Sequence, residues 1–366
     1  MVAPFMAFFL VEGLGHAPRI LSLYSVLAVG LTIWVNRSFG ARIDAGGRVF
    51  PMVGAAAFGF CVAAFSVAVW PILPVILSVG VIGFGLGSSA VSTMFSLGGT
   101  LAERAQIDRS RFNAVLRAVT SGAWMVGPAV AFLVADAFSP RAVFILATGI
   151  AILWLGLWWW VLPRGVTAAG PAKPAAQGGD AGFSTALWLA AGYVFCLSLA
   201  HSLTFSALPL FYVREVGLPG FAPGTAFSVK TFVEIGAIFA TPWIIARFGM
   251  ARALLATTLL AVATIQYLAS VESFPQMLLG SGLEGLYYGL YASLGISYVQ
   301  SFAQDRPARA TALYWNTLMV SALMAGPVVG AIAEVSDFRT VVLVSSGVAT
   351  GAALLLGATM LRGPRR

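Results

Sequence analysis

Apolar runs long enough to cross a bilayer follow one another along the whole chain, at 18–38, 49–69, 73–100, 112–136, 140–162, 183–211, 222–246, 251–270, 274–302, 309–334 and 338–361. A span needs about 20 such residues, and no soluble core can enclose eleven of them. In lipid every backbone N–H and C=O must be satisfied within the segment, so runs of this length are helices. Only 9% of the 366 residues are charged and 59% are apolar, too little charge to cover a water-soluble surface of that size. The spacing therefore predicts an all-α membrane protein with eleven full spans. The formal charge of +8 does not make it a nucleic-acid binder, because the arginines stand singly in short loops and form no patch. Cys61 and Cys196 lie inside apolar runs and are read as free thiols.

The composition breaks once. Between Pro163 and Phe183 the chain turns polar and rich in Gly, Pro and Ala, as a flexible linker does. This divides it into an N-terminal bundle (1–163), a linker (164–182) and a C-terminal six-helix bundle (183–366). When alternate loops are assigned to one side of the membrane, fifteen of the 21 basic residues fall on the side holding the linker and the C-terminus. Only Arg19, Arg141, Arg214 and Arg339 fall on the other, while Arg117 and Lys230 lie within spans. The positive-inside rule then puts the C-terminus in the cytoplasm.

The halves repeat. A shift of 199 residues lays Gly127-Pro128 on Gly326-Pro327 and Arg117 on Asn316. Near the start, Ala3–Gly15 resembles Leu208–Gly220, a segment that closes a full span in the second half. Residues 1–11 have no basic n-region and no A-x-A site, so they do not read as a signal peptide. They read instead as the end of a twelfth helix, most of which is missing, either through a late start codon or because the protein has eleven spans.

Between the second and third spans stands GARIDAGGR, with Gly40, Asp44, Gly47 and Arg48 at the positions of the G-x-x-x-D-x-x-G-R signature of the major facilitator superfamily. Phe112–Phe132, FNAVLRAVTSGAWMVGPAVAF, is similar to the corresponding helix of the bacterial sugar efflux transporters through Arg117, Ala118, Ser121, Ala123, Trp124, Gly127, Pro128, Ala131 and Phe132. Pro209–Pro219, Glu234 with Gly249, and the segment around Asn316 extend the likeness over nearly the whole chain. Ala207 and His201 depart from that pattern, which carries an acid and an amide there. The resemblance implies the major facilitator fold, two pseudo-symmetric helix bundles rocking around a central site. It also implies a bacterial inner-membrane location and export, the Gly-Pro element being associated with antiport. Asp44 would pair with arginines such as Arg309 to lock one side.

Ionisable groups inside spans are costly and usually face a cavity or a partner. Lys230 and Glu234 share one helical face, either as a self-neutralising pair or as a titratable site. Arg117 and Asn316 could hold substrate oxygens or belong to a structural network. Glu284, Tyr287, Tyr288 and Tyr291 form one stripe, either aromatic core or a platform for sugar rings. His201 could titrate near neutral pH or be a satisfied core histidine. Trp124 joins the substrate-binding candidates through the resemblance, and Glu234 and Glu284 are the candidates for proton coupling. Gly127, Pro128, Gly326 and Pro327 are helix-packing residues. Trp154, Trp158, Trp159 and Trp160 belong to the aromatic belt at the membrane interface. No nucleotide loop, metal cluster or nucleophile elbow is present, so neither an enzyme nor a cofactor is expected. The expected protein is a secondary exporter of sugars or sugar-like molecules that exchanges them for protons and works as a monomer in the bilayer. A multidrug/proton antiporter and a non-transporting truncated facilitator protein are the alternatives.

Overall fold

The computed structural model describes residues 2–106, 109–167, 185–302 and 307–362. The described chain is helical, with a single isolated β-bridge between Arg48 and Thr167. In chain order α1 is Val2–Phe8, α2 Ile20–Asp44, α3 Val49–Val69, α4 Val81–Arg104, α5 Arg109–Ala137 and α6 Ala142–Val161. The second half holds α7 Thr185–Leu210, α8 Ala222–Phe248, α9 Met250–Ala269, α10 Phe274–Ser301, α11 Pro307–Val335 and α12 Phe338–Arg362.

Ten helices among the described residues are long and apolar enough to cross a membrane, against the eleven expected. The difference is α10, which has the length at 28 residues. Glu284, four tyrosines and several glycines and serines lower its mean hydropathy. The chain is thus a multi-pass membrane protein in which one long helix is reserved for polar groups. Helix α2 continues six residues beyond the expected end, passing through Gly40 in helical conformation and leaving the helix only at Gly46. There φ reaches +80°, a conformation glycine adopts without strain, and the Gly47 amide caps the Arg42 carbonyl at 2.8 Å. Gly249, at φ +78°, ends α8 in the same way at the matching position of the second half.

The described chain separates into two compact units. One comprises residues 1–3, 24–127 and 134–178, and the other 4–23, 128–133 and 179–366. In the first, α3 packs against α4 and α6; in the second, the corresponding α9 packs against α10 and α12. The α3–α4 seam is close: a Cβ on Gly83 would lie 2.1 Å from the Gly59 carbonyl oxygen.

The repeated Gly-Pro segments have a common task. In the second unit, Gly224 in the first turn of α8 lies against the backbone of α5, where an added Cβ would meet Ala129 Cα and Phe132 Cβ at 2.9 Å. The α11 element makes the reciprocal arrangement with the start of α2. Ser22 Oγ donates to the Pro327 carbonyl at 3.1 Å, and a Cβ on Gly330 would sit 2.2 Å from that hydroxyl. The two Gly-Pro helices, α5 and α11, therefore each accept the first turn of another helix at backbone distance. Gly330→Val is expected to cost about 1–3 kcal/mol, read as a lowered unfolding temperature of the detergent-solubilised protein. Ser22 can rotate away, but Pro18 O and Ser22 N at 3.1 Å cannot.

Residues 2–13 are helical and largely buried. Phe5 and Phe8 pack edge-on against Phe132, each with ring centroids 5.3 Å apart. The segment ends in a π-turn, Phe9–Gly13, and α7 ends in another, Phe211–Glu215. Glu12 and Arg214 occupy the fourth position of their π-turns and pair at 3.2 Å. The two stretches thus share a π-turn, in a register three residues away from the one read between Ala3–Gly15 and Leu208–Gly220.

Candidate functional site

Three buried ionisable groups of the second unit, His201, Lys230 and Glu284, gather where α7, α8 and α10 meet. The approach of α8 to α10 rests on two glycines one turn apart. A Cβ on Gly285 would lie 2.1 Å from the Lys230 carbonyl oxygen, and one on Gly289 would lie 2.5 Å from that of Glu234. Ser281, Gly285 and Gly289 form a small-residue ridge at i, i+4 and i+8, a spacing present in the sequence beside the more conspicuous tyrosines. This ridge brings Lys230 and Glu234 alongside Glu284 and Tyr288.

Lys230 is 6% exposed, and its Nζ lies 3.3 Å from Glu234 Oε2. The ammonium also sits over the rings of Tyr288, at 4.5 Å, and Phe205, at 5.6 Å, so its charge is shared between a carboxylate and two aromatic faces. His201 stacks on Tyr288 with ring centroids 3.8 Å apart and an interplanar angle of 17°. Its Nδ1 lies 3.0 Å from the Tyr287 hydroxyl and 3.7 Å from Glu284 Oε1. Glu284 is 3% exposed, and Oε1 finds no hydrogen-bond donor among the described residues. Two carboxylates, an ammonium and an imidazole thus form one continuous cluster. Glu234 is its partly open member, with 21% of its side chain exposed.

The tyrosine stripe divides. Tyr287 and Tyr291 are buried; the Tyr291 hydroxyl reaches the Val194 carbonyl at 3.0 Å and Ser198 Oγ at 2.7 Å, tying α10 to α7. Only Tyr288 is half-buried. A ring has two faces, and with His201 stacked on one, Lys230 must lie over the other. The open ring faces expected for sugars are therefore lacking in this conformation. The groups available for a hydroxylated ligand are the polar edges of the cluster.

The remaining sequence candidates lie on other elements. Asn316, on α11, is exposed. Trp124, 51% exposed, belongs to the first unit, as does Arg117, whose side chain lies outside the described residues. Gly40 lies in the last turns of α2, and Gly47 and Arg48 lie in the α2–α3 connection. The side chains of Asp44 and Arg309, and with them the expected lock, also fall outside the described residues. Gly127 and Pro128 lie on α5, and Gly326 and Pro327 on α11.

No family model matches the chain. Sugar efflux transporter B of Salmonella typhimurium is 28% identical over 271 residues, covering 73% of this chain and 68% of that protein. Sugar efflux transporter A of Escherichia coli is 23% identical over 338 residues, covering 91% and 85%. Among solved structures, a mutant of the nucleoside transporter NupG superimposes with a TM-score of 0.82 at 15% identity, over 98% of this chain and 95% of that one. The structural likeness carries the fold, and the sequence likeness, with transporters and not enzymes, carries the closer kinship. The chain is a multi-pass membrane protein with the fold of the major facilitator transporters, and its sequence is similar to the bacterial sugar efflux transporters.

Proposed function

We propose that the protein exports sugars or sugar-like small molecules across the bacterial inner membrane, as a monomer, by proton antiport. Two bundles, 1–163 and 183–366, would rock in alternating access about the linker 164–182. The observation that carries the reading is the cluster of His201, Lys230, Glu234 and Glu284. A charged group at membrane depth costs about 2.5–3.5 kcal/mol on insertion scales. Four ionisable groups set against one another make a site for a polar ligand, whereas a pocket for lipophilic drugs would be lined chiefly by apolar side chains. Glu234 is the coupling carboxylate on this reading, because it is partly exposed and its protonation would dissolve the 3.3 Å pair with Lys230. The ammonium would then be free to meet a sugar hydroxyl, held meanwhile by the face of Tyr288. Glu284, more enclosed, is the competing candidate.

The test is solute flux in proteoliposomes under an imposed pH gradient, with a panel of mono- and disaccharides, a nucleoside and a lipophilic cation. Gradient-driven movement of a saccharide, abolished by a protonophore, is expected. Movement of the cation alone would make the protein a multidrug antiporter. Absence of any flux from the folded protein would favour the non-transporting alternative.

A further inference from the structure

A cavity of about 500 Å³ opens in the first unit where α2 turns into α3. Its walls include Phe39, Met52, Ala55 and Leu86, and Arg42 and Arg48 stand on its lining. We propose that this cavity binds the headgroup of an anionic phospholipid, with an acyl chain lying along α3.

Depth is set by the tryptophans beside it. Trp158 donates its indole N–H to the Phe50 carbonyl at 2.8 Å, two residues after Arg48 in the chain. Phe50 packs on Trp158 and Trp159 with ring centroids 4.5 and 6.1 Å apart, and the Arg164 guanidinium lies 4.6 Å over Trp159. Trp160 is 86% exposed. Indoles at a helix end with arginine beside them are characteristic of the level of the lipid headgroups. From the cavity, one exposed face of α3 runs on through Ala55, Phe58, Val62 and Phe65, spaced to lie in a single line. A water-filled passage would not be lined by such residues; an acyl chain would.

The charge selects the headgroup. Two arginines, each able to grip phosphate oxygens with a planar fork, face an apolar floor. Arg37 and Arg164 lie at the same end of the unit's helices, and the sequence of the turn offers Asp44 as its one acid. A net positive pocket favours a phosphodiester without a compensating amine, and basic pockets between helices are a general form of lipid recognition. A free phosphate ion would gain nothing from Phe39, Met52 and Leu86.

Native mass spectrometry of the delipidated whole protein is the test, with phosphatidylglycerol, phosphatidylcholine of the same acyl chains, or inorganic phosphate added. Wild type is expected to retain phosphatidylglycerol at least about tenfold better than phosphatidylcholine, a difference of about 1.4 kcal/mol. Arg42→Gln with Arg48→Gln should erase the preference, and Arg247→Gln with Arg252→Gln should keep it. Ala55→Trp, which fills the cavity and spares both arginines, should also reduce retention and serves if the double variant does not fold. Equal retention of the two lipids, or a preference surviving both the arginine and the Ala55 variants, would overturn the proposal. So would displacement of the lipid by inorganic phosphate, which would make the pocket a site for the ion.

Discussion

Glu234→Gln is expected to abolish uphill efflux driven by a pH gradient, slowing it at least about tenfold, while sugar exchange at equal pH continues in part. Coupling requires that proton and substrate compete for one group reachable from both sides in turn. Exchange needs no net proton movement, so a neutral amide can support it. The substitution leaves the Lys230 ammonium its contacts with Tyr288 and Phe205, so the α8–α10 seam should survive. Tenfold in rate corresponds to about 1.4 kcal/mol. The control is Glu284→Gln, measured in the same proteoliposomes. If the Glu234 variant pumps at near wild-type rate and the Glu284 variant does not, Glu234 is only the structural partner of Lys230. The coupling role would then pass to Glu284, with His201 beside it at 3.7 Å.

Gly285→Leu is expected to remove folded protein altogether. The first added carbon would fall 2.1 Å from the Lys230 carbonyl oxygen and 3.1 Å from the Glu234 amide nitrogen, which are backbone atoms of a long helix and cannot swing aside. Overpacking against side chains costs about 1–3 kcal/mol, and a backbone obstacle lies at the upper end or beyond. The measurement is the monodisperse fraction after detergent extraction, compared with Gly282→Leu, where an added Cβ would have only ordinary contacts near 4.0 Å. If both variants extract equally well, the close seam that builds the cluster does not exist as described.

The two predictions differ in how far the sequence alone could reach them. Glu234 and Lys230 were legible because a charge in an apolar run needs a partner, and four-residue spacing supplies one. The helices were legible for a similar reason: lipid leaves a long apolar run no other way to satisfy its backbone. Even so, α10 does not meet the apolar criterion that the other long helices meet, because hydropathy measures average composition and this helix concentrates polar groups on its buried side. Apolarity alone ends α2 six residues short, since arginine and aspartate at the bilayer edge look like loop while the backbone remains free to stay helical until Gly46.

The tyrosine stripe marks the limit of periodicity. Spacing put Tyr287, Tyr288 and Tyr291 on one side of a helix, but a stripe does not state which of its members face a neighbour. That depends on the depth to which α8 enters, which Gly285 and Gly289 set at backbone contact. The sequence by itself determined that this chain is a bundle of membrane helices with an internal repeat and charged groups at membrane depth, because hydration and helix geometry act locally and leave periodic traces. Only the tertiary structure decided that His201 stacks on Tyr288, that Lys230 covers its other face and that Glu284 is left without a donor. Those facts depend on contacts between α7, α8 and α10, whose residues stand tens of positions apart and whose approach is set by the absence of a few side chains.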